Sequence, residues 1–202
     1  ALADFYAEAK YYYESGKYYY YVNKIDDAIE AIQNAIDLLY KERMTEEKLL
    51  DLCEYVRLLC ICQKRKGSFP LGPIKKCLSQ IEKDCKNPKI RNREISLMAL
   101  LSRGFVQNKY FDIEKVRKYR EEAIKRAKEI VEELPSADNM KLLVSVYEDV
   151  KFTLKKEYRY EYYAEIEKYR QKIYDLTRQE TDLFRLADAM FNYAKSMTEA
   201  RK

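Results

Sequence analysis

Glycine and proline are scarce: the 202 residues hold four of each. Sandwiches, barrels and nucleotide-binding folds need many turn residues to reverse the chain, so this scarcity points to long helices joined by few breaks. The segment Gly67-Ser68-Phe69-Pro70-Leu71-Gly72-Pro73 is the one evident cluster of breakers and reads as a loop. Apolar residues make up 47% of the chain and charged residues 36%, enough to bury a core and keep a solvated surface.

Helical periodicity runs through nearly the whole chain. Residues 2–22 combine Leu2, Phe5, Tyr6 and Ala9 with a tyrosine-rich stretch interrupted at Gly16. From Asp26 to Arg43, one stripe carries Ala28, Ile29, Ile32, Ala35, Ile36 and Leu39. Thr45 is a suitable N-cap for a helix that reaches Gly67. A short helix follows through Ile74, Cys77 and Ile81 to Asn87-Pro88. Further helices are predicted over 92–110, 113–134, 139–155 and 161–178, and a last one starts at Thr181. The predicted architecture is therefore all-α: about nine antiparallel helices in a single domain over residues 1–202. Helix starts near Thr45, Arg91, Ser136 and Thr181 recur about every 45 residues, the spacing of stacked helix pairs that build a curved, concave array.

Catalytic chemistry finds little to work with. There is no histidine, which removes the usual neutral-pH general base and the partner that activates Ser or Cys. No glycine-rich phosphate loop and no nucleophile elbow occurs. The carboxylate pairs Asp26-Asp27, Glu46-Glu47 and Glu121-Glu122 are adjacent, so they point to different sides of a helix. The expectation is a protein that is not an enzyme and uses no cofactor. Five cysteines, Cys53, Cys60, Cys62, Cys77 and Cys85, lack the close paired spacing of a zinc site, so no metal is expected. Free thiols inside apolar helices fit a reducing, cytoplasmic compartment. Neither a signal peptide nor an apolar run of about 18 residues is visible, so no membrane partner is expected.

Two families fit stacked antiparallel helices. The tetratricopeptide array is the generic one, although its signature offsets match poorly and its unit is shorter than the period here. The second resemblance rests on residues. KIDDAIEAIQNAIDLL (24–39) followed by MTEEKLLDLCEYV (44–56) resembles the second and third helices of the 14-3-3 family. LPSADNMKLLVSVYEDV (134–150) resembles the entry into that family's seventh helix. REISLMALLSRGFVQNKYFD (93–112) and LADAMFNYAKS (186–196) resemble the fifth and ninth more weakly.

The resemblance implies a regulatory adaptor that binds phosphoserine or phosphothreonine peptides of partner proteins in a groove, and that forms a homodimer. The family holds the phosphate with a Lys, two Arg and a Tyr, and the peptide backbone with Asn side chains. Carried over by position, that pattern is altered. Tyr55 stands at the third-helix Lys and Cys62 at the third-helix Arg, with Lys64 and Arg65 following within a turn as substitutes. Lys109-Tyr110 resembles the Arg-Tyr pair after a one-residue slip. Tyr147 stands at the seventh-helix Asn, Asn192 matches the ninth-helix Asn, and Val146 and Val150 keep the apolar wall. The resemblance thus implies phosphate binding by Lys64, Arg65, Lys109 and Tyr110, and a peptide groove from Tyr55, Cys62, Val146, Tyr147, Val150 and Asn192. Tyr55 and Cys62 also read as plain packing residues. The segment matching the fourth helix, which contributes to the family's dimer interface, is much shorter here.

Two features stand outside the resemblance. Residues 64–93 hold ten basic side chains against Glu82 and Asp84, a net +8 where the whole chain carries +5. Such a patch steers acidic partners toward it, or is a solvated surface. The twenty tyrosines cluster at 11–13, 18–21 and 158–163 and are expected in the core and in helix–helix seams. Two alternatives to the phosphopeptide adaptor follow. One is a tetratricopeptide-type scaffold for unphosphorylated segments; the other is a basic helical protein for nucleic acid, which no recognised motif supports.

Overall fold

A computed structural model describes residues 4–81, 85–107 and 112–200. The described residues are all-helical, with nine α-helices and two short 3-10 turns. They divide into two compact units. The first comprises residues 4–81, 85–97 and 107, the second 98–106 and 112–200.

In the first unit, α1 (Phe5–Tyr21) starts where Asp4 accepts the N–H of Ala7 at 3.0 Å. Its chief neighbour is α2 (Ile25–Leu39). Gly16 of α1 sits against Ala28 and Ile32 of α2, and further small side chains are buried on both helices: Ala9 on α1 and Ala31 and Ala35 on α2. The chain turns between the two helices at Asn23, whose φ of 61° suits a short polar side chain. α3 (Glu46–Arg65) begins at the predicted cap, where Thr45 accepts the Lys48 N–H at 3.3 Å. Glu46 and Glu47 in its first turn and Lys64 and Arg65 in its last complement the helix dipole. It ends at Gly67, whose φ of +71° only glycine adopts freely, and the Ser68 N–H reaches back to the Gln63 carbonyl.

α4 (Leu71–Leu78) packs on α3, and the sulfurs of Cys53 and Cys77 meet 3.6 Å apart in their shared core. Tyr40, just past α2, is close to this core. Its hydroxyl is buried without a hydrogen-bond partner among the described residues, and Lys76 Nζ sits 3.7 Å from the ring centroid. Tyr40→Phe keeps the ring and removes a desolvated hydroxyl, so stability in a thermal melt should stay unchanged or rise by up to about 1 kcal/mol. A clear loss of stability would mean that the hydroxyl has a partner after all.

α5 (Pro88–Gln107) gives its first half to the first unit and its second half to the other. In the second unit, α6 (Ile113–Glu133) is capped by Asp112 and α7 (Ala137–Val150) by Ser136, which accepts the Asn139 N–H at 3.2 Å. The 3-10 turns Lys151–Thr153 and Lys156–Tyr158 lead to α8 (Tyr160–Thr177), and Arg178 in the left-handed region turns the chain into α9 (Glu180–Ala200). α6 packs on α7, α7 on α8 and α8 on α9.

Several predicted boundaries move. The segment expected as loop through Pro73 is already helical from Leu71, and the short helix after it stops at Leu78 rather than at Asn87-Pro88. The second helix stops at Leu39 rather than Arg43. The fifth starts at Pro88 rather than residue 92, since proline is suited to a first helical position that needs no N–H donor. The stretch predicted as helix over 139–155 breaks at Val150 into 3-10 turns. Among the described residues, no helix is long and apolar enough to cross a membrane.

Candidate functional site

The second unit holds a cleft of about 300 Å³ between the end of α7, α8 and α9. Helical spacing aims its lining. Glu148 and Lys151 lie three residues apart at the end of α7, and Tyr163, Ile166 and Arg170 share one face of α8. Phe184, Arg185, Asp188 and Asn192 do the same on α9.

Each charged group in the cleft is held differently. Arg170 donates to Glu148 at 3.0 Å and is largely covered. Arg185 pairs with the buried carboxylate of Asp182 at 3.3 Å. Asp188 accepts the Asn192 amide at 3.1 Å, and the same amide reaches the Asp188 carbonyl at 2.9 Å. Lys151 makes no ion pair among the described residues; its Nζ lies 4.6 Å from the Tyr163 ring centroid. Burial lowers its pKa, the Glu148 carboxylate opposes that, and Arg103 adds to it; the net shift is downward. The arrangement offers one unpaired ammonium and two anchored guanidinium groups beside aromatic surface, a chemistry suited to an anionic group on an otherwise apolar ligand.

Asn192 lines this cleft. Val146, Tyr147 and Val150 belong to the same unit but point into its core, each no more than 2% exposed, and Tyr147 packs against the Tyr162 ring at 5.3 Å. They offer a ligand no surface. In the first unit, Tyr55 and Cys62 are likewise buried, and Tyr55 stacks on Tyr13 at 4.0 Å. Burial pushes the Tyr13 hydroxyl up to about 12 and raises the Cys62 thiol. The packing reading fits these two residues. Lys64 is exposed on the last turn of α3. Arg65 is already engaged, donating to the Tyr20 hydroxyl at 2.9 Å and to Asn23 at 3.3 Å. Lys109 and Tyr110 lie outside the described residues.

The basic run 64–93 is partly used internally: Lys66 pairs with Asp26, and Arg93 with Glu54 at 3.0 Å. The tyrosine clusters depart from expectation, since Tyr11, Tyr18 and Tyr21 are exposed rather than seated in seams. Lys151, Tyr163, Arg170 and Arg185 had no motif to mark them in the sequence. One signal was available: α9 carries more apolar residues than a single buried stripe requires. Among the described residues, no group of three or more His, Cys, Asp or Glu is placed to hold a metal ion. No protein-family model, no curated protein and no solved structure matches the chain.

Proposed function

We propose that this chain is a regulatory adaptor that binds segments of partner proteins carrying phosphoserine or phosphothreonine, in the manner of the 14-3-3 family but with a different phosphate pocket. The observation that carries the reading is Lys151, a half-buried ammonium without an ion-pair partner among the described residues, in a cleft rimmed by Phe184 and Tyr163. Arg170 and Arg185 are anchored beside it by Glu148 and Asp182, so little side-chain entropy is lost when they meet a phosphate. Asn192 supplies its amide oxygen to the peptide backbone, its amide N–H groups being held by Asp188. The same reading expects the helix pairs to stack into the curved, concave array of that family, and leaves Lys64 and Lys109 to attract acidic segments by their charge.

Fluorescence anisotropy with a phosphoserine peptide and its unphosphorylated twin tests this. Phosphate-dependent binding is expected. Lys151→Gln should weaken it about tenfold or more, since a charge-assisted hydrogen bond is worth about 1.5–3 kcal/mol. Equal binding of both peptides would replace this reading with an unphosphorylated-segment scaffold. Phosphate-dependent binding that ignores the Lys151 substitution would move the site elsewhere.

A further inference from the structure

α9 is apolar on two sides. Its inner side buries Leu186 and Ala189, together with Asp182 and Ser196. Successive helical residues advance by about 100°, which puts Leu183, Ala187, Met190 and Ala194 on a second side, roughly a third of a turn round from the first, with Phe184 and Phe191 along its outer edge. All six are exposed; Phe184 and Phe191 keep 67% and 68% of their surface in solvent, Met190 52% and Leu183 44%. Arg185, Asp188 and Asn192 occupy the strip facing the cleft. A helix apolar on two sides has the pattern of one covered on both, and a contiguous patch of this kind marks an interaction surface.

The pattern also says what covers it. Leu183, Ala187, Met190 and Ala194 follow steps of four, three and four, the spacing of a helix–helix seam. Large and small side chains alternate along it. Reversed about a point between Asp188 and Ala189, the seam maps onto itself: Leu183 falls opposite Ala194, and Ala187 opposite Met190. We propose that this face docks a second copy of the chain, α9 against α9, antiparallel about a two-fold axis. Each large side chain then meets a small one and the helices approach closely. A parallel, in-register pair would set leucine on leucine and alanine on alanine, leaving gaps that forfeit contact. A two-fold interface uses the same patch on both copies, which this self-complementary seam allows. The four large side chains leave roughly 500 Å² of apolar surface per copy, so the pair covers about 1,000 Å², the lower end for a specific interface. The dimer is accordingly weak and concentration-dependent.

Sedimentation equilibrium over a wide concentration range tests the proposal on the full chain. The unsubstituted protein should self-associate. Ala187→Glu and Met190→Lys, both at exposed positions, should each raise the dimer dissociation constant about tenfold or more while helical circular dichroism stays the same. An equimolar mixture of the two variants should associate again. The antiparallel register sets the introduced acid of one chain against the introduced base of the other, and leaves the second contact unaltered. A protein that stays monomeric throughout, variants that associate normally, or a mixture no better than its components would each overturn it.

Discussion

Replacing Gly16 by valine should cost the protein about 3 kcal/mol in stability, seen as a fall in the urea midpoint with an unchanged slope. A Cβ built at Gly16 comes 2.6 Å from Cγ1 of Ile32 and 3.4 Å from the Ala28 carbonyl oxygen. Ile32 is fully buried, and its Cγ1 is a branch atom close to the backbone rather than a free end. It gives way only by leaving its rotamer or by moving α2 outward. Alanine is the instructive contrast. It gains about 1 kcal/mol of helix propensity over glycine, against an overpacking cost of about 1–3 kcal/mol, so Gly16→Ala should be near neutral to moderately destabilising. Valine adds two methyl groups on a stiff χ1 to the same seam and recovers less propensity. A valine variant as stable as the parent would mean that α1 and α2 are not in this close contact.

The second large effect centres on Asp182, which joins three helices. Its side chain is 1% exposed. It accepts the Thr177 hydroxyl from the end of α8 at 2.9 Å, pairs with Arg185 on its own helix at 3.3 Å, and lies 3.7 Å from Lys141 of α7. The carboxylate is covered by these partners rather than set deep in the fold, and Lys141 and Arg185 remain partly solvated. Asp182→Ala should therefore cost about 2 kcal/mol, below the figure for a fully buried pair.

The same tie fixes a pH dependence. Burial alone would raise the carboxyl pKa, but the Thr177 hydrogen bond and the Lys141 and Arg185 charges outweigh it and hold the group below its ordinary value. A depressed folded pKa means stability that is complete above the unfolded value of about 3.9 and lost as pH falls through the folded one. The stability gap between the parent and Asp182→Asn should be widest at neutral pH and should shrink below about pH 4. A gap of the same size at both ends would show that shape, not charge, makes the contribution.

Much of the fold was legible because helices are local. Asp4, Thr45, Asp112 and Ser136 each cap the helix that follows through a hydrogen bond spanning three residues, so three residue types in the right place mark four starts. The stripe Ala28–Ile32–Ala35–Ile36–Leu39 goes inside as its 3.6-residue period requires, while Ile29, predicted on the same stripe, is only half-buried. The 3-10 break after Val150 was not legible, because residues 151–155 carry no glycine or proline to announce it.

The candidate site lies on the other side of that line. Period alone says which residues share a face, but not what the face meets. Val146, Tyr147 and Val150 have the right spacing for a groove wall and are core, because packed neighbours cover them; Tyr147 and Tyr162 pack ring against ring. Lys151, Arg170 and Arg185 come from three separate segments and converge only when α7, α8 and α9 stack. Whether a given cation is free or paired is likewise a tertiary fact: Arg65 is held by Tyr20 and Asn23, residues more than forty positions earlier. The sequence by itself determined that this chain is helical and where most helices begin, since capping and amphipathic period act over a few residues. Only the tertiary structure decided which apolar faces are covered, which charges stay unpaired and where a ligand has room, because those depend on contacts between residues far apart in the chain.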